Sequence, residues 1–320
     1  MLRSGTLILL LLVLMCSCKN DQKIQSEIAA IPLDLTIIRF DQEFASTSPE
    51  QLPALKAKYP YFFPAQYPDS VWVAKIQDSL QLELRNAVDS VFTGFDEEEQ
   101  DIELLFKHIA YYFPAYEVPT VITLTSDVDY QNRIILTDTL LLIGLDNYLG
   151  KEHRFYGGIE RYIAKGLDKT YLESDIVSAF SKQVVPYVTD RTFLSQLIYY
   201  GKELYLKDLL LPWQSDAQKI GYTQDEIEWA EANEEQIWRY FIEREILYST
   251  DNMLGPRFLD PAPFSKFRLE LDNESPGRLG RYMGWQIVRA FMEKNDVSPQ
   301  DMFTVPAEMI FQKSNYKPKK

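Results

Sequence analysis

This 320-residue sequence has few residues that bind transition metals or form cross-links, with two Cys and two His in all. Cys16 and Cys18 lie together near the start, so we expect no disulfide framework, thiolate zinc site or cysteine nucleophile in the rest of the chain. His108 and His153 are far apart, and no His-Glu-x-x-His motif is present. We therefore expect no metal and no cofactor, and a fold that is stabilised by an ordinary hydrophobic core.

Motifs for nucleophilic catalysis and phosphate binding are also missing. The chain has no Gly-x-Ser-x-Gly sequence, which would mark a strained and exposed catalytic serine. The glycine-rich segment 277–284 does not match a phosphate-binding loop. Gly280 and Gly284 are four residues apart, which instead predicts a helix that approaches another helix closely. The sequence therefore predicts no enzymatic activity.

Positive charge is in the minority, because 33 Lys and Arg face 47 Asp and Glu, for a formal net charge of −14. A polyanion such as nucleic acid would be repelled by this charge, so we expect no nucleic-acid partner. The basic segment Lys317–Lys320 is best explained as a solvated end of the chain.

The first residues have the pattern of a cleaved export signal. An apolar run from Leu7 to Met15 follows Arg3 and is too short to span a bilayer. Ser17 is a small residue before Cys18, which favours lipoprotein processing and attachment of lipid, such as palmitate, to Cys18. The alternative is a core segment that contains two incidental cysteines. Because Lys19 rather than Asp follows the lipidated residue, we expect the outer membrane, facing the periplasm.

The rest of the chain predicts an α+β fold. Residues 1–17 form the predicted signal peptide, 18–30 a polar lipid-anchored tether, and 31–320 a single α+β domain. The N-terminal half predicts a small antiparallel sheet, and the C-terminal half is mainly helical. The predicted strands are Leu33–Ile37, Val121–Thr125, Arg133–Leu136 and Leu140–Ile143.

Apolar residues at helical spacing predict several helices. A single helix is predicted from Val71 to Val88, and a second one around Ile102–Ile109 that stops before Pro114. The acidic segment Asp96–Asp101 between them is predicted to be a solvated turn. Further helices are predicted near 173–185, 192–207, 224–247 and 280–294.

Four uncommon segments occur in the same order as in a known family, namely Thr137–Gly150, Gly201–Tyr205, Ala262–Phe267 and Asp272–Gly277. Together with the lipoprotein-like start, they resemble the gliding motility lipoprotein GldB family of the Bacteroidetes over nearly the whole chain. The resemblance implies a component of the gliding machinery that works with the type 9 secretion system from the periplasmic side. It implies no enzymatic activity.

The same family is distantly similar to predicted zinc peptidases, which implies a degenerate zincin-like peptidase fold. Ser181–Val185 lies where the zinc-binding helix would be, and Tyr200–Gly201 stands where Glu-Gly is expected. Neither segment offers an imidazole or a carboxylate, so a zinc ion there would lack its ligands.

Three functions follow as hypotheses. The first is a noncatalytic envelope lipoprotein that binds other gliding-machinery or envelope proteins and is held at the membrane by its N-terminal lipid. The second is a metal-dependent peptidase with atypical ligands. The third is a glycan-binding lipoprotein, suggested by 20 Tyr and 5 Trp, which burial of Trp72, Trp238 and Trp285 would count against.

Polar residues next to glycine or proline mark a candidate interaction surface. Caps and loop hydrogen bonds would explain the same residues equally well. The candidates are Lys202, Glu203, Asp272, Asn273, Glu274 and Arg278.

Overall fold

The computed structural model describes residues 22–187, 189–268 and 272–319. The predicted signal peptide and Cys18 lie outside these described residues. Within them, helices predominate and one four-stranded sheet lies in the N-terminal half. The predicted α+β class is therefore confirmed.

The described part of the chain begins with helix α1, over residues 22–29. Its Ile28 side chain is fully buried, and the Tyr111 hydroxyl lies 3.4 Å from a carboxylate oxygen of Glu27. This helix differs from the polar tether predicted over 18–30, because an apolar residue in that segment packs into the interior. The next helices are α2 (Phe40–Ser46) and α3 (Leu52–Lys58).

The sheet is mixed, with strand order β1-β2-β4-β3. Its strands are β1 (Ile37–Arg39), β2 (Thr120–Leu124), β3 (Ile134–Leu136) and β4 (Leu140–Gly144). The small sheet that was predicted is present, but it is mixed rather than antiparallel, since β2 runs parallel to both β1 and β4. Long connections allow parallel pairing, and only the short β3–β4 hairpin is antiparallel.

The helix predicted over Val71–Val88 is two helices, α4 (Asp69–Gln77) and α5 (Ser79–Val91). Asp78 separates them in an extended conformation, and its carboxylate accepts hydrogen bonds from the backbone N–H groups of Leu80 and Gln81. An Asp at this position starts a new helix because it satisfies free N–H groups.

The acidic segment Asp96–Asp101 is helical rather than a turn, because helix α6 spans Asp96–Tyr112. Its first turn carries four consecutive carboxylates, which the positive end of a helix dipole stabilises. The helix ends before Pro114, as predicted.

The C-terminal half is helical, as predicted. The helix predicted over 224–247 is divided at Asn233, whose side chain donates a 2.8 Å hydrogen bond to the Trp229 carbonyl. The helices are α7 (Arg161–Ala164), α8 (Leu172–Val184), α9 (Phe193–Leu210), α10 (Asp216–Ile220), α11 (Gln224–Ala232), α12 (Glu234–Glu243), α13 (Leu254–Phe258), α14 (Leu279–Lys294), α15 (Pro299–Thr304) and α16 (Ala307–Ser314).

Helices α9 and α14 pack closely at the centre of this half. A Cβ atom on Gly284 would overlap the Leu197 carbonyl, and one on Gly201 would overlap the Gly284 carbonyl. Gly280 likewise packs against Phe258. The predicted close approach through Gly280 and Gly284 is confirmed. No helix in the described ranges is long and apolar enough to cross a bilayer.

Candidate functional site

A cavity of about 710 Å³ lies where the edge of the sheet meets the helical half. Residues at the start of β3 form one side, and helices α8 and α9 form another. The remaining walls come from the loop after α7, the end of α10 and the first turn of α14. We call this cavity the central cleft.

The central cleft is basic, although the chain as a whole is acidic. Seven lysines and arginines line it, against two carboxylates, Asp175 and Glu203. Tyr130, Tyr162, Tyr171 and Tyr200 also line it.

Arg133 is the most fully paired cation of the cleft. Its Nε lies 2.7 Å from Asp175 Oδ2 and one terminal nitrogen lies 2.9 Å from Oδ1, a bidentate pair. The Tyr148 hydroxyl donates a 3.0 Å hydrogen bond to the same carboxylate. Burial opposes the charge on Arg133, but Asp175 outweighs this effect and holds the arginine pKa above its ordinary value.

Two cleft lysines are paired with carboxylates that lie behind the wall. The Lys165 ammonium lies 2.5 Å from Glu226, and burial holds the pKa of Lys165 below its ordinary value. The Lys219 ammonium lies 3.0 Å from Asp208. Both cations are therefore neutralised inside the protein.

Arg278 and Arg281 are held by backbone carbonyls rather than by carboxylates. Arg278 donates a 2.7 Å hydrogen bond to the Gly221 carbonyl, and its guanidinium lies 5.5 Å from the centre of the Tyr222 ring. Arg281 donates a 2.5 Å hydrogen bond to the Leu259 carbonyl and stacks 3.8 Å from the centre of the Tyr200 ring.

Arg278 is in an unfavourable electrostatic position. Burial, followed by repulsion from Arg281, lowers the pKa of Arg278 from its ordinary value. An arginine still keeps its proton at neutral pH, so the two positive charges persist side by side.

Lys207 and Lys219 are the two buried lysines among the described residues that line the cleft. The Lys207 ammonium donates hydrogen bonds of 2.9 Å to the Ser174 hydroxyl and to the Lys219 carbonyl. Glu203 is a looser partner at 3.8 Å, because it also accepts a 2.8 Å hydrogen bond from the Ser178 hydroxyl. Burial lowers the pKa of Lys207.

The structure brings together two of the six candidate interaction residues, since Glu203 and Arg278 both line the central cleft. Lys202 is only 8% exposed and lies on the other side of α9. Its ammonium donates 2.8 Å hydrogen bonds to the carbonyls of Phe303 and Val305, at the end of α15. Burial lowers the pKa of Lys202 to about 8. Lys202 therefore joins two elements in the interior rather than lying on a surface.

The other three candidates form an exposed turn of 3-10 helix, Asp272–Glu274, before α14. The Asp272 carboxylate accepts backbone hydrogen bonds from Phe267 at 3.1 Å and from Arg268 at 2.7 Å. Asn273 and Glu274 are exposed, and neither lines the cleft.

Sequence reasoning did not find Arg133, Lys165, Lys182, Lys207 and Arg281. They are spread over about half of the chain, and each has ordinary sequence neighbours. The one usable signal was the closeness in sequence of Arg278 and Arg281, which stand directly before α14 and in its first turn.

The described residues 22–187, 189–268 and 272–319 contain no group of three His, Cys, Asp or Glu that converges as a metal site. His108 is buried, and its Nδ1 lies 3.2 Å from the Leu209 carbonyl. His153 begins a turn, where its Nδ1 accepts a hydrogen bond from the Phe155 N–H. Neither histidine lines the central cleft.

The peptidase resemblance singled out two segments, Ser181–Val185 and Tyr200–Gly201, and one residue of each lines the cleft. Lys182, within Ser181–Val185, lines it, and so does Tyr200. Gly201, which follows Tyr200, faces α14 instead. The side chains that these two segments bring to the cleft are therefore a lysine and a tyrosine.

Trp72, Trp238 and Trp285 lie against the core, whereas Trp213 is 41% exposed. Trp285 is fully buried, Trp238 packs on the main hydrophobic core, and Trp72 packs on a smaller cluster around Phe40 and Phe63. Their burial counts against a row of exposed tryptophans for stacking on sugars.

Comparison with known proteins gives one match. The family model described as Gliding motility protein GldB matches residues 21–318. No curated protein and no solved structure matches the chain.

Proposed function

This chain belongs to the family of the gliding motility protein GldB, and from that membership we propose that it supports gliding as a noncatalytic lipoprotein of the cell envelope. The observation that carries the proposal is the family match, which covers residues 21–318. We place the lipid on Cys18, after removal of a signal peptide over 1–17, at the outer membrane and facing the periplasm. The partners we propose are other envelope proteins of the gliding and type 9 secretion machinery.

Two features of the described residues support a binding role over a catalytic one. They contain no converging metal-ligand group. The lining of the central cleft includes neither histidine of the chain and only two carboxylates. The side chains that face the cleft can donate hydrogen bonds and attract negative charge, which suits recognition.

A metal-dependent peptidase with atypical ligands remains the second candidate. Asp175 and Glu203 are the cleft carboxylates it would have to use, and Arg133 and Ser178 already bond to them. Metal analysis of the purified protein separates the two proposals. Stoichiometric zinc, lost on replacing both carboxylates with their amides, would favour the peptidase.

The test of the proposed function is deletion of the gene, followed by measurement of single-cell movement and colony spreading. We expect both to be lost and to return when the wild-type gene is restored. Crosslinking in intact cells should then capture envelope proteins. Unaltered gliding in the deletion strain would overturn the proposal.

A further inference from the structure

The charges of the central cleft do not balance. Asp175, Glu226 and Asp208 neutralise three of the seven basic side chains. The other four share a single cleft carboxylate, Glu203, which lies 3.8 Å from the nearest of them. They are Lys182, Lys207, Arg278 and Arg281.

This imbalance is unexpected in so acidic a chain. With 47 carboxylates available, a basic residue can readily find a carboxylate partner. Uncompensated charge near a protein interior is costly, and like charges repel each other strongly there. Four cations around one carboxylate therefore suggest that negative charge is supplied by something that enters the cleft.

The two arginines line the cleft together. Arg278 directly precedes α14, and Arg281 lies in its first turn. Each is held by one backbone carbonyl and an aromatic ring. A guanidinium has five N–H donors, and its planar fork matches a carboxylate or phosphate. Within the described part of the chain, neither arginine forms an ion pair.

Lysines add charge at different depths. Lys207 is buried, and Glu203 lies 3.8 Å from its ammonium. Lys182 is exposed at the side of the cleft, and no described residue pairs with it. Positive charge therefore extends from the interior to the mouth.

The volume indicates the size of the ligand. About 710 Å³ lies within the range of roughly 300–1,000 Å³ that is typical of small-molecule sites. A single inorganic ion would leave most of this space empty. A ligand with two or more acidic groups would fill more of it and reach several of the cations.

We propose that the central cleft binds an organic ligand with two or more anionic groups, carboxylate or phosphate, through Lys182, Lys207, Arg278 and Arg281. This goes beyond the role in gliding and does not rest on it, because binding is measured on the purified chain. Arg278 and Arg281 hold the acidic groups, Lys207 attracts charge at the base of the cleft, and the tyrosines contact the organic part.

The test is titration calorimetry of the purified full chain with citrate, a tricarboxylate, and separately with pyrophosphate. Acetate serves as the single-carboxylate comparison. We expect one site for citrate, pyrophosphate or both, weakening as salt is added, and much weaker binding of acetate. Stronger citrate binding identifies a carboxylate ligand, and stronger pyrophosphate binding identifies a phosphate ligand.

The variant Lys182→Gln/Arg281→Gln removes two unpaired cations from the cleft. Each lost charge-assisted contact costs about tenfold in affinity, so the loss of both should weaken binding by roughly tenfold to a hundredfold. Lys151→Gln/Arg191→Gln removes the same charge at exposed positions outside the cleft and should bind as wild type does.

Two results would overturn the proposal. One is the absence of saturable binding of both multivalent probes to the wild-type chain at low salt. The other is equal loss of affinity in the cleft variant and the control variant, which would show a nonspecific charge effect. If Arg281→Gln disturbs folding, the affinity of Lys182→Gln alone is compared with that of wild type, and unchanged affinity would overturn the proposal. This variant should fold normally, because no contact of the described residues depends on the exposed Lys182 ammonium.

Discussion

Gly201 of α9 and Gly284 of α14 face each other so closely that neither position has room for a methyl group. The contact brings the two helix backbones together in the middle of the helical half. Tyr200, the residue before Gly201, and Arg281, about one helical turn before Gly284, both line the central cleft. The packing of two glycines thereby sets the spacing of the candidate site.

Replacement of Gly284 by Ala should destabilise the protein. Alanine favours the helix slightly, but its Cβ atom would collide with the Leu197 carbonyl, and overpacking of this kind costs about 1–3 kcal/mol. Gly158→Ala is the control, since nothing lies within 4 Å of the new Cβ atom, and it should change the unfolding free energy by less than about 0.5 kcal/mol. Urea unfolding of both variants measures the difference. Equal stabilities would show that α9 and α14 are not in close contact.

The Asp208 carboxylate organises the interior next to the cleft. It accepts hydrogen bonds from Trp285 Nε1 at 2.9 Å and from Arg289 Nε at 2.8 Å, and it lies 3.0 Å from the Lys219 ammonium. Asp208→Asn removes the negative charge that three donors share. We expect a loss of about 1.5–3 kcal/mol in the free energy of unfolding.

The control for Asp208→Asn is Glu235→Gln, in the exposed pair with Arg239, where the atoms are 3.4 Å apart. Exposed pairs one helical turn apart contribute about 0.3–0.5 kcal/mol, so this variant should be nearly as stable as wild type. A larger effect at Glu235 than at Asp208 would contradict the assigned network.

Glu173 should make stability depend on pH. Burial, opposed by hydrogen bonds from Gln214 and Trp213, raises the pKa of Glu173 to about 7. An unfolded Glu has a pKa of about 4.3, so the unfolded chain releases this proton at lower pH than the folded chain does. The contribution of Glu173 to stability is therefore present below about pH 4 and is lost as pH rises through 7.

Glu173→Gln should remove this loss. We compare the free energy of unfolding of the variant with that of wild type at pH 5 and at pH 8. The difference should shift in favour of the variant by on the order of 1–3 kcal/mol from pH 5 to pH 8, a range that allows for the partial exposure of Glu173. Chemical unfolding at both pH values measures the gain, with Glu152→Gln at an exposed site as the control. The same pH dependence in wild type and Glu173→Gln would show that Glu173 is charged in the folded protein at pH 5.

The lipid anchor is testable through the two cysteines. We expect Cys18→Ser to release the chain from the membrane fraction and to abolish incorporation of labelled fatty acid. Cys16→Ser should leave both unchanged, because the proposed cleavage before Cys18 removes this residue. Labelled Cys18→Ser protein that still pellets with membranes would show that another residue carries the lipid.

Much of the helical half follows from its sequence. Helices α8, α9 and α14 could be predicted because their apolar residues recur at helical spacing, and the close approach at Gly284 could be predicted from two glycines four residues apart. The break at Asp78 was missed because a capping side chain interrupts an otherwise continuous apolar stripe.

The central cleft could not be predicted, because its basic residues are far apart in the sequence and meet only in the folded chain. Nothing in the sequence around Lys182, Lys207 and Arg281 distinguishes them from other basic residues. Only the folded structure shows that too few carboxylates lie near them to balance their charge. Lys202 shows the opposite error, because a lysine beside glycine resembles a surface residue until the packing of α15 buries it.

Gliding of cells in which the gene is replaced by the cleft variant tests the role of the central cleft in this family most directly. Cells that carry Lys182→Gln/Arg281→Gln, at wild-type protein level, should move no better than the deletion strain, whereas Lys151→Gln/Arg191→Gln cells should glide normally. Wild-type speed and spreading in the cleft-variant cells would contradict the assignment of this cleft as the functional site.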